Sequence, residues 1–435
     1  MIRQADAKQK SLQPKLRALG LALALGLVSP VIEGPAALAQ AVPQAAPQIA
    51  PRQEFGAFVQ SLWPDARDRF GVSRKTFDTA FAGLKPNLTL PDLELPGTAV
   101  SKVRQSEFTA EPKDYIDAAY LARLAETGRQ LVVTHKQALD RIEQEYGVDR
   151  YSLLAIFGRE TAFGAYTPKH DAIEVLATQA WTGRRKELFR EELLYALKLL
   201  EKGVPRNKMR ASWAGAMGLT QFMPSEFFKH TDDTRGGSYS DLFASVPYAL
   251  ASAARQLHAK GWKRGHKWGY EVVIPPTSDC SLEGPPGLRP VREWIKLGFR
   301  RTGGKEFPRH VLDESAYLMS PAGAHGPSFL ALENFQVIRR YNTSDLYATF
   351  VGNLADRIAG GGDFVTPWKP IGQQRTNLIK SIQKGLKDKG YPIEIIDGFI
   401  GSNTRRQIGH YQKANGLAVD CWPSDEVLAH LQGRR

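Results

Sequence analysis

Between Gln53 and Ala359, apolar residues recur mostly at three- and four-residue steps, the spacing that gathers side chains on one side of a helix. The pattern predicts helices over Asp114 to Tyr146, Arg185 to Lys202, Leu242 to Lys260 and Ser344 to Ile358. In the last of these, Ser344 stands at an N-cap position, and Leu346, Phe350, Leu354 and Ile358 share a face. Two runs rich in strand formers, Tyr270 to Ile274 and Asn334 to Ile338, predict short strands between the helices. Gly360-Gly361-Gly362, followed by Pro367 and Pro370, breaks the periodicity. Three short helical stripes follow: Ile379, Ile382 and Leu386; Ile408 and Tyr411; Val427, Leu428 and Leu431, with Asp397-Gly398 as a turn between the first two. The expected architecture is mainly α with a minor β element over residues 53–360, a linker over 361–375, and a small three-helix unit over 376–433.

One acidic residue interrupts an otherwise apolar helical face. In the segment from Ser152 to Gly164, the residues Leu153, Ile156, Glu160 and Phe163 fall at helical spacing. A carboxylate held against apolar neighbours loses solvation in its charged form, which raises its pKa and suits it to general acid chemistry. The same residue can instead reach solvent or pair with Arg159 or Arg184. On residues alone both readings stand.

The first 39 residues read as a targeting segment rather than as fold. Arg3, Lys8, Lys10, Lys15 and Arg17 precede an uncharged apolar run from Leu19 to Val28, and Ala37-Leu38-Ala39 supplies the small residues of a cleavage site. The apolar run is too short to span a bilayer, and no Cys there offers a lipid acceptor, so an exported protein without a membrane anchor is expected. Residues 40–52, rich in Ala, Pro and Gln, read as a leader. The formal net charge of +13 falls to +10 without residues 1–39, which carry five basic and two acidic side chains. Export turns that charge away from nucleic acid and toward a cell wall or anionic lipid. Cys280 and Cys421 are the only cysteines and fall in different predicted units, so two free thiols are expected.

Three separated segments carry the candidate chemistry. Gly158-Arg159-Glu160-Thr161-Ala162-Phe163-Gly164 is followed by Ser212-Trp213-Ala214-Gly215-Ala216-Met217-Gly218-Leu219-Thr220-Gln221-Phe222-Met223-Pro224-Ser225, and then by Arg340-Tyr341-Asn342. The small residues let backbone approach a ligand, Ser212 and Gln221 offer hydrogen bonds, and Met217, Phe222 and Met223 are expected to form an apolar wall. Sugar sites combine apolar faces with a few directed polar groups in this way. The three segments, in order over roughly residues 53–360, resemble the lytic murein transglycosylase B family. That resemblance implies a lysozyme-like (α+β) catalytic domain in an exported, periplasmic enzyme that cuts peptidoglycan glycan strands. It also implies Glu160 as the catalytic acid and base, with Ser212, Gln221, Tyr341 and Asn342 lining the sugar cleft.

The C-terminal unit is similar to the small peptidoglycan-binding domain of wall enzymes, through Asp397-Gly398-Phe399-Ile400-Gly401, Thr404-Arg405 and Tyr411 to Leu417. Cys421 stands where that family commonly has Gly, so a different loop is expected there. Tethering such a unit concentrates a catalytic domain on an insoluble polymer.

Hydrolytic glycosidases use two carboxylates, and no second acidic residue occupies a convincing position in these motifs. The family implies a one-residue alternative. Glu160 protonates the oxygen leaving C1 of N-acetylmuramic acid, then takes the proton of that sugar's C6 hydroxyl, which closes onto C1 as a 1,6-anhydro end. Some relatives carry a calcium loop after the second segment, but Asp232 to Asp241 lacks alternating oxygen ligands and a closing Glu, so no metal is expected; nor is a cofactor. Peptidoglycan strands and their peptide stems are the expected partners. Competing readings are a muramidase using water on the same cleft and a non-catalytic wall-binding scaffold.

Overall fold

The computed structural model describes residues 50–95, 109–231, 237–372 and 375–434. The targeting segment and most of the leader lie outside these residues, as do positions 232–236 of the stretch considered for calcium. No helix among the described residues is long and apolar enough to cross a membrane.

Helices dominate, and the cause is legible at their ends. Asp149 caps the helix Arg150–Thr161 by accepting from the Ser152 backbone N–H at 2.8 Å. Ser344 caps Asp345–Ile358 in the predicted way, accepting from the Tyr347 N–H at 3.2 Å. These two helices pack against each other, and Ala118–Thr134 packs on both. Ala172–Thr182 and Lys186–Glu201 run alongside one another to complete the helical core.

Two details depart from the sequence reading. The stretch read as one helix from Asp114 breaks at His135 into Ala118–Thr134 and Lys136–Tyr146, where the β-branched run Val132-Val133-Thr134 weakens helix propensity. Asn334 to Ile338, read as a strand, lies within the helix Glu333–Arg339. There Phe335, Val337 and Ile338 are buried in the helical core, and Asn334 bonds the backbone of Lys263 and His266, so tertiary packing overrides strand propensity.

The minor β element comprises a two-stranded ribbon, β1 (His170–Asp171) with β2 (Arg210–Ala211), and a five-stranded antiparallel sheet. That sheet contains β3 (Gly269–Val273), β4 (Arg289–Pro290), β5 (Arg300–Arg301), β6 (Ser315–Met319) and β7 (Ser328–Ala331), in the order β4-β6-β7-β3-β5. Its own core gathers Tyr270, Val272, Trp294, Phe299, Leu318 and Leu330.

The C-terminal helices Thr376–Asp388, Ser402–Ala414 and Asp425–Leu431 bury Ile382, Leu386, Ile408, Tyr411, Val427 and Leu431 against each other, the stripes read from sequence. They belong to the same compact unit as the helical core rather than hanging from it. The preceding segment is pinned as well: Glu271 accepts from the backbone of Val365 and Thr366, and Phe364 packs on Phe329.

The expectation of two free thiols is wrong. Cys280 and Cys421 form a disulfide across 141 residues, with Cα atoms 6.1 Å apart, joining the segment after β3 to the C-terminal unit. Folding brings together two residues whose separation in sequence hides their proximity. Cys421 has φ +57°, the left-handed conformation a Gly fills without strain.

Candidate active site

Glu160 occupies the last turn of Arg150–Thr161 and is half-buried. The residues before it, Leu153 to Phe157, are all buried, so this helix has no single greasy face and runs through the core. It ends because Ala162, Phe163 and Gly164 all take positive φ, at 48°, 59° and 85°. Phe163 therefore does not extend the helical face, contrary to the spacing argument. Its ring folds back over Gly158, where a Cβ would lie 2.7 Å from it, and meets Phe157 edge-on.

Each cation considered as a partner from sequence has an anchor of its own. Arg184 bonds Asp92 at 2.9 Å. Arg159 donates to the Tyr115 hydroxyl at 2.7 and 3.0 Å, and its guanidinium lies over the rings of Tyr115 and Phe350. Burial works against the Arg159 charge, but the oxygens of Tyr115 and Glu160 outweigh it and raise its pKa.

The partner that sequence reasoning missed is Tyr347, whose hydroxyl donates to Glu160 Oε1 at 2.5 Å. Tyr347 sits on the helix capped by Ser344 and is itself buried. Its ring lies nearly parallel to that of Tyr341, with centroids 6.5 Å apart. Burial first, and the Glu160 charge second, push both phenols well above their ordinary pKa, so both stay protonated donors. The only advance signal for Tyr347 was its place three residues after a cap, beside the apolar stripe.

Hydrogen bonds stitch the three segments into one site. Thr161 Oγ1 donates to the Leu219 carbonyl at 2.8 Å, tying the end of the Glu160 helix to the second segment. The Tyr341 hydroxyl donates to the Thr220 carbonyl, tying the second segment to the third. Tyr347 closes the circuit back to Glu160.

Ser212 and Gln221 support the second segment from within. Ser212 Oγ accepts from the Ala214 and Ala216 N–H groups at 3.3 and 3.2 Å. Gln221 takes φ +52°, and its Nε2 donates to the Gly218 carbonyl at 2.9 Å. Gly218 has φ +76°, and a Cβ there would meet the Leu242 carbonyl oxygen at 2.9 Å, so only Gly fits. Asn342 is half-buried, following Tyr341, and its backbone carbonyl accepts from the Ser344 N–H at 2.8 Å. The expected apolar wall is corrected: Met217 and Phe222 pair backbone to backbone and point into the core, and only Met223 keeps partial exposure.

Beside the end of the Glu160 helix opens a cleft of ≈ 280 Å³, whose walls include Thr161, Tyr166, Asn207, Lys208, Arg210 and Leu219. Tyr166 is exposed there. A planar ring beside amide and cationic groups suits a ligand that presents sugar faces and carboxylates.

Comparison with known proteins identifies the family. The family described as Transglycosylase SLT domain matches residues 54–356, and a peptidoglycan binding domain family matches residues 375–431. The crystal structure of SltB3 from Pseudomonas aeruginosa in complex with NAG-anhNAM-pentapeptide is 34% identical with a TM-score of 0.75, covering 87% of this chain and 100% of that one. Soluble lytic transglycosylase SltB1 from Pseudomonas aeruginosa is 27% identical with a TM-score of 0.56, covering 70% of this chain and 98% of that one. Membrane-bound lytic murein transglycosylase B of Escherichia coli (strain K12) is 30% identical over 228 residues, 52% of this chain; the match spans 61% of that relative's length. The chain belongs to the Transglycosylase SLT domain family, with a lysozyme-like fold.

Proposed function

We propose that this chain is a periplasmic lytic transglycosylase that cleaves the β-1,4 bond between N-acetylmuramic acid and N-acetylglucosamine in peptidoglycan, leaving 1,6-anhydromuramoyl ends. The observation that carries this reading is the hydrogen bond from Tyr347 to Glu160, at the junction of the three segments. The Tyr347 hydroxyl donates to Oε1 and fixes the carboxyl at that junction. In the first step, the Glu160 carboxylic acid protonates the glycosidic oxygen as the C1–O bond breaks, with the substrate's N-acetyl group stabilising the cation. In the second, the Glu160 carboxylate takes the C6 hydroxyl proton, and O6 closes onto C1. Acid and base act in sequence, so one carboxyl serves both.

Ser212, Gln221, Tyr341 and Asn342 are assigned to the walls of the sugar cleft. Tyr166, Lys208 and Arg210, in the cleft beside the end of the Glu160 helix, are assigned to the carboxylates of peptide stems. The C-terminal helices are assigned to wall binding. That SltB3 was crystallised with NAG-anhNAM-pentapeptide supports the product named here.

The test is mass spectrometry of the sugars released from purified peptidoglycan, with Glu160→Gln as control. Anhydromuramoyl products from the wild type and none from the control are expected. Reducing ends would make the enzyme a muramidase, and a fully active control would remove Glu160 from the chemistry.

A further inference from the structure

Arg405 belongs to the wall-binding signature Thr404-Arg405, yet its side chain is only 3% exposed and is aimed into the catalytic domain. Its Nε and Nη2 form a two-pronged bond with Glu283, at 2.9 and 2.6 Å, and Nη2 also reaches Asp345 Oδ2 at 3.1 Å. Nη1 donates to the Ile400 carbonyl at 2.8 Å. Glu283 is fully buried and accepts in addition from the Ser320 N–H at 3.0 Å. Asp345 is paired on its other oxygen with Arg339 at 2.9 Å. The result is a charge-balanced chain, Glu283–Arg405–Asp345–Arg339, crossing from one domain to the other. Burial works against the Arg405 charge, but Glu283 and Asp345 outweigh it and raise its pKa.

Burying Glu283, Arg405 and Asp345 beside a half-buried Arg339 is a costly way to glue two surfaces, and apolar residues of the same volume commonly do it as well. What an ionic chain provides is a fixed geometry, and its location gives that geometry a use. Asp345 is the first residue of the helix that carries Tyr347 two positions later, and Tyr347 donates to Glu160. Arg405 therefore holds the first turn of that helix through one oxygen of Asp345, and Arg339 through the other.

We infer that Arg405, a residue of the C-terminal unit, is a positioning residue for the active site: it sets the Asp345 end of the Tyr347 helix, and through Tyr347 the orientation of Glu160. The inference rests on the catalytic reading of Glu160 above. It makes the C-terminal unit part of the catalytic apparatus and not only a wall anchor. A displacement of about 1 Å at a reacting group costs on the order of 100-fold in rate, so a small shift of this helix suffices.

The molecule allows a clean test, because the Cys280–Cys421 disulfide keeps the two domains joined when the ion pair is removed. Arg405→Met alone strands the Glu283 charge, so it is combined with Glu283→Gln in the full-length chain. Turnover is measured on soluble glycan strands, wall binding by sedimentation with peptidoglycan, and folding by thermal denaturation. For the double variant we expect kcat to fall about 10-fold or more while KM and sedimentation stay within twofold. Arg405→Lys, which pairs with one carboxylate at a time, is expected to lose several-fold in kcat.

The decisive measurement is the same double change in a Tyr347→Phe background. If Arg405 acts through Tyr347, it loses less than twofold further, because the contact it sets is already gone. Losses that multiply, or wild-type kcat in both Arg405 variants, overturn the inference. An active Glu160→Gln enzyme overturns the catalytic reading and this inference with it. An inactive Glu160→Gln beside unchanged Arg405 variants overturns this inference alone.

Discussion

The Tyr347 hydroxyl donates to Oε1 of Glu160 across 187 residues of sequence, and it does so from a position that is itself buried. A neutral phenol is a donor that does not compete for the proton the proposed mechanism has Glu160 carry. The nearest arginine in sequence, Arg159, is turned instead onto Tyr115.

Tyr347→Phe removes this bond with little change of volume. Hydrogen bonds to charged groups contribute about 1.5–3 kcal/mol, so a fall in kcat of about 10- to 100-fold is expected, with wall binding unchanged. Steady-state kinetics on soluble strands measure it; a kcat within twofold of wild type would show that Tyr347 does not orient the acid.

Tyr341→Phe leaves the Thr220 carbonyl without its phenolic donor. A loss of about 1–2 kcal/mol in stability is expected, together with a raised KM because the second and third segments come unpinned. Urea denaturation and kinetics on the same preparation check both halves.

The disulfide closes a long loop of 141 residues. In the chain-entropy description such a loop confers up to about 5 kcal/mol, so Cys280→Ser/Cys421→Ser should unfold at markedly lower temperature, with a midpoint that reductant does not change, whereas reduction should bring the wild type down toward it. Cys421 adds a second expectation through its positive φ. In a Cys280→Ser background, Cys421→Gly should be more stable than Cys421→Ala by about 1 kcal/mol; the reverse order would contradict the left-handed backbone.

Glu226 supports the start of the helix Pro224–His230, accepting from Lys229 at 3.1 Å and from Gln256, with His230 at 3.2 Å. Burial opposes its charge, but these donors outweigh it and hold its pKa well below the ordinary carboxylate range. Because the folded value is depressed, its contribution is complete above the unfolded value of about 4.3 and disappears as pH falls through the folded one. Glu226→Gln should therefore be less stable than wild type at pH 7 by about 1–3 kcal/mol, with the two melting curves converging as the pH drops below about 4. A constant offset from pH 7 to pH 3 would rule this out.

Local sequence determined a good deal. Ser344 and the stripe behind it announce a helix because capping and periodicity act within a few residues. The C-terminal stripes fold as read for the same reason. Glu160 stands out because a carboxylate spaced with Leu153, Ile156 and Phe163 interrupts an apolar pattern in sequence. Asn334 to Ile338 misled because strand propensity is a weak local preference, and burial in a helical core outweighs it.

Tertiary structure alone decided the partners. Tyr347 reads in sequence as one more aromatic on a buried helix, and Arg405 as one residue of a wall-binding signature. Cys280 and Cys421 read as unrelated thiols. Each acquires its role from a contact between residues far apart along the chain: Glu160 with Tyr347, Glu283 and Asp345 with Arg405, and one sulfur with the other. Periodicity, caps and motifs are written in neighbouring residues, so the sequence by itself determined most of the helices and singled out Glu160. Which side chains meet depends on how those helices pack, and no local pattern carries that information.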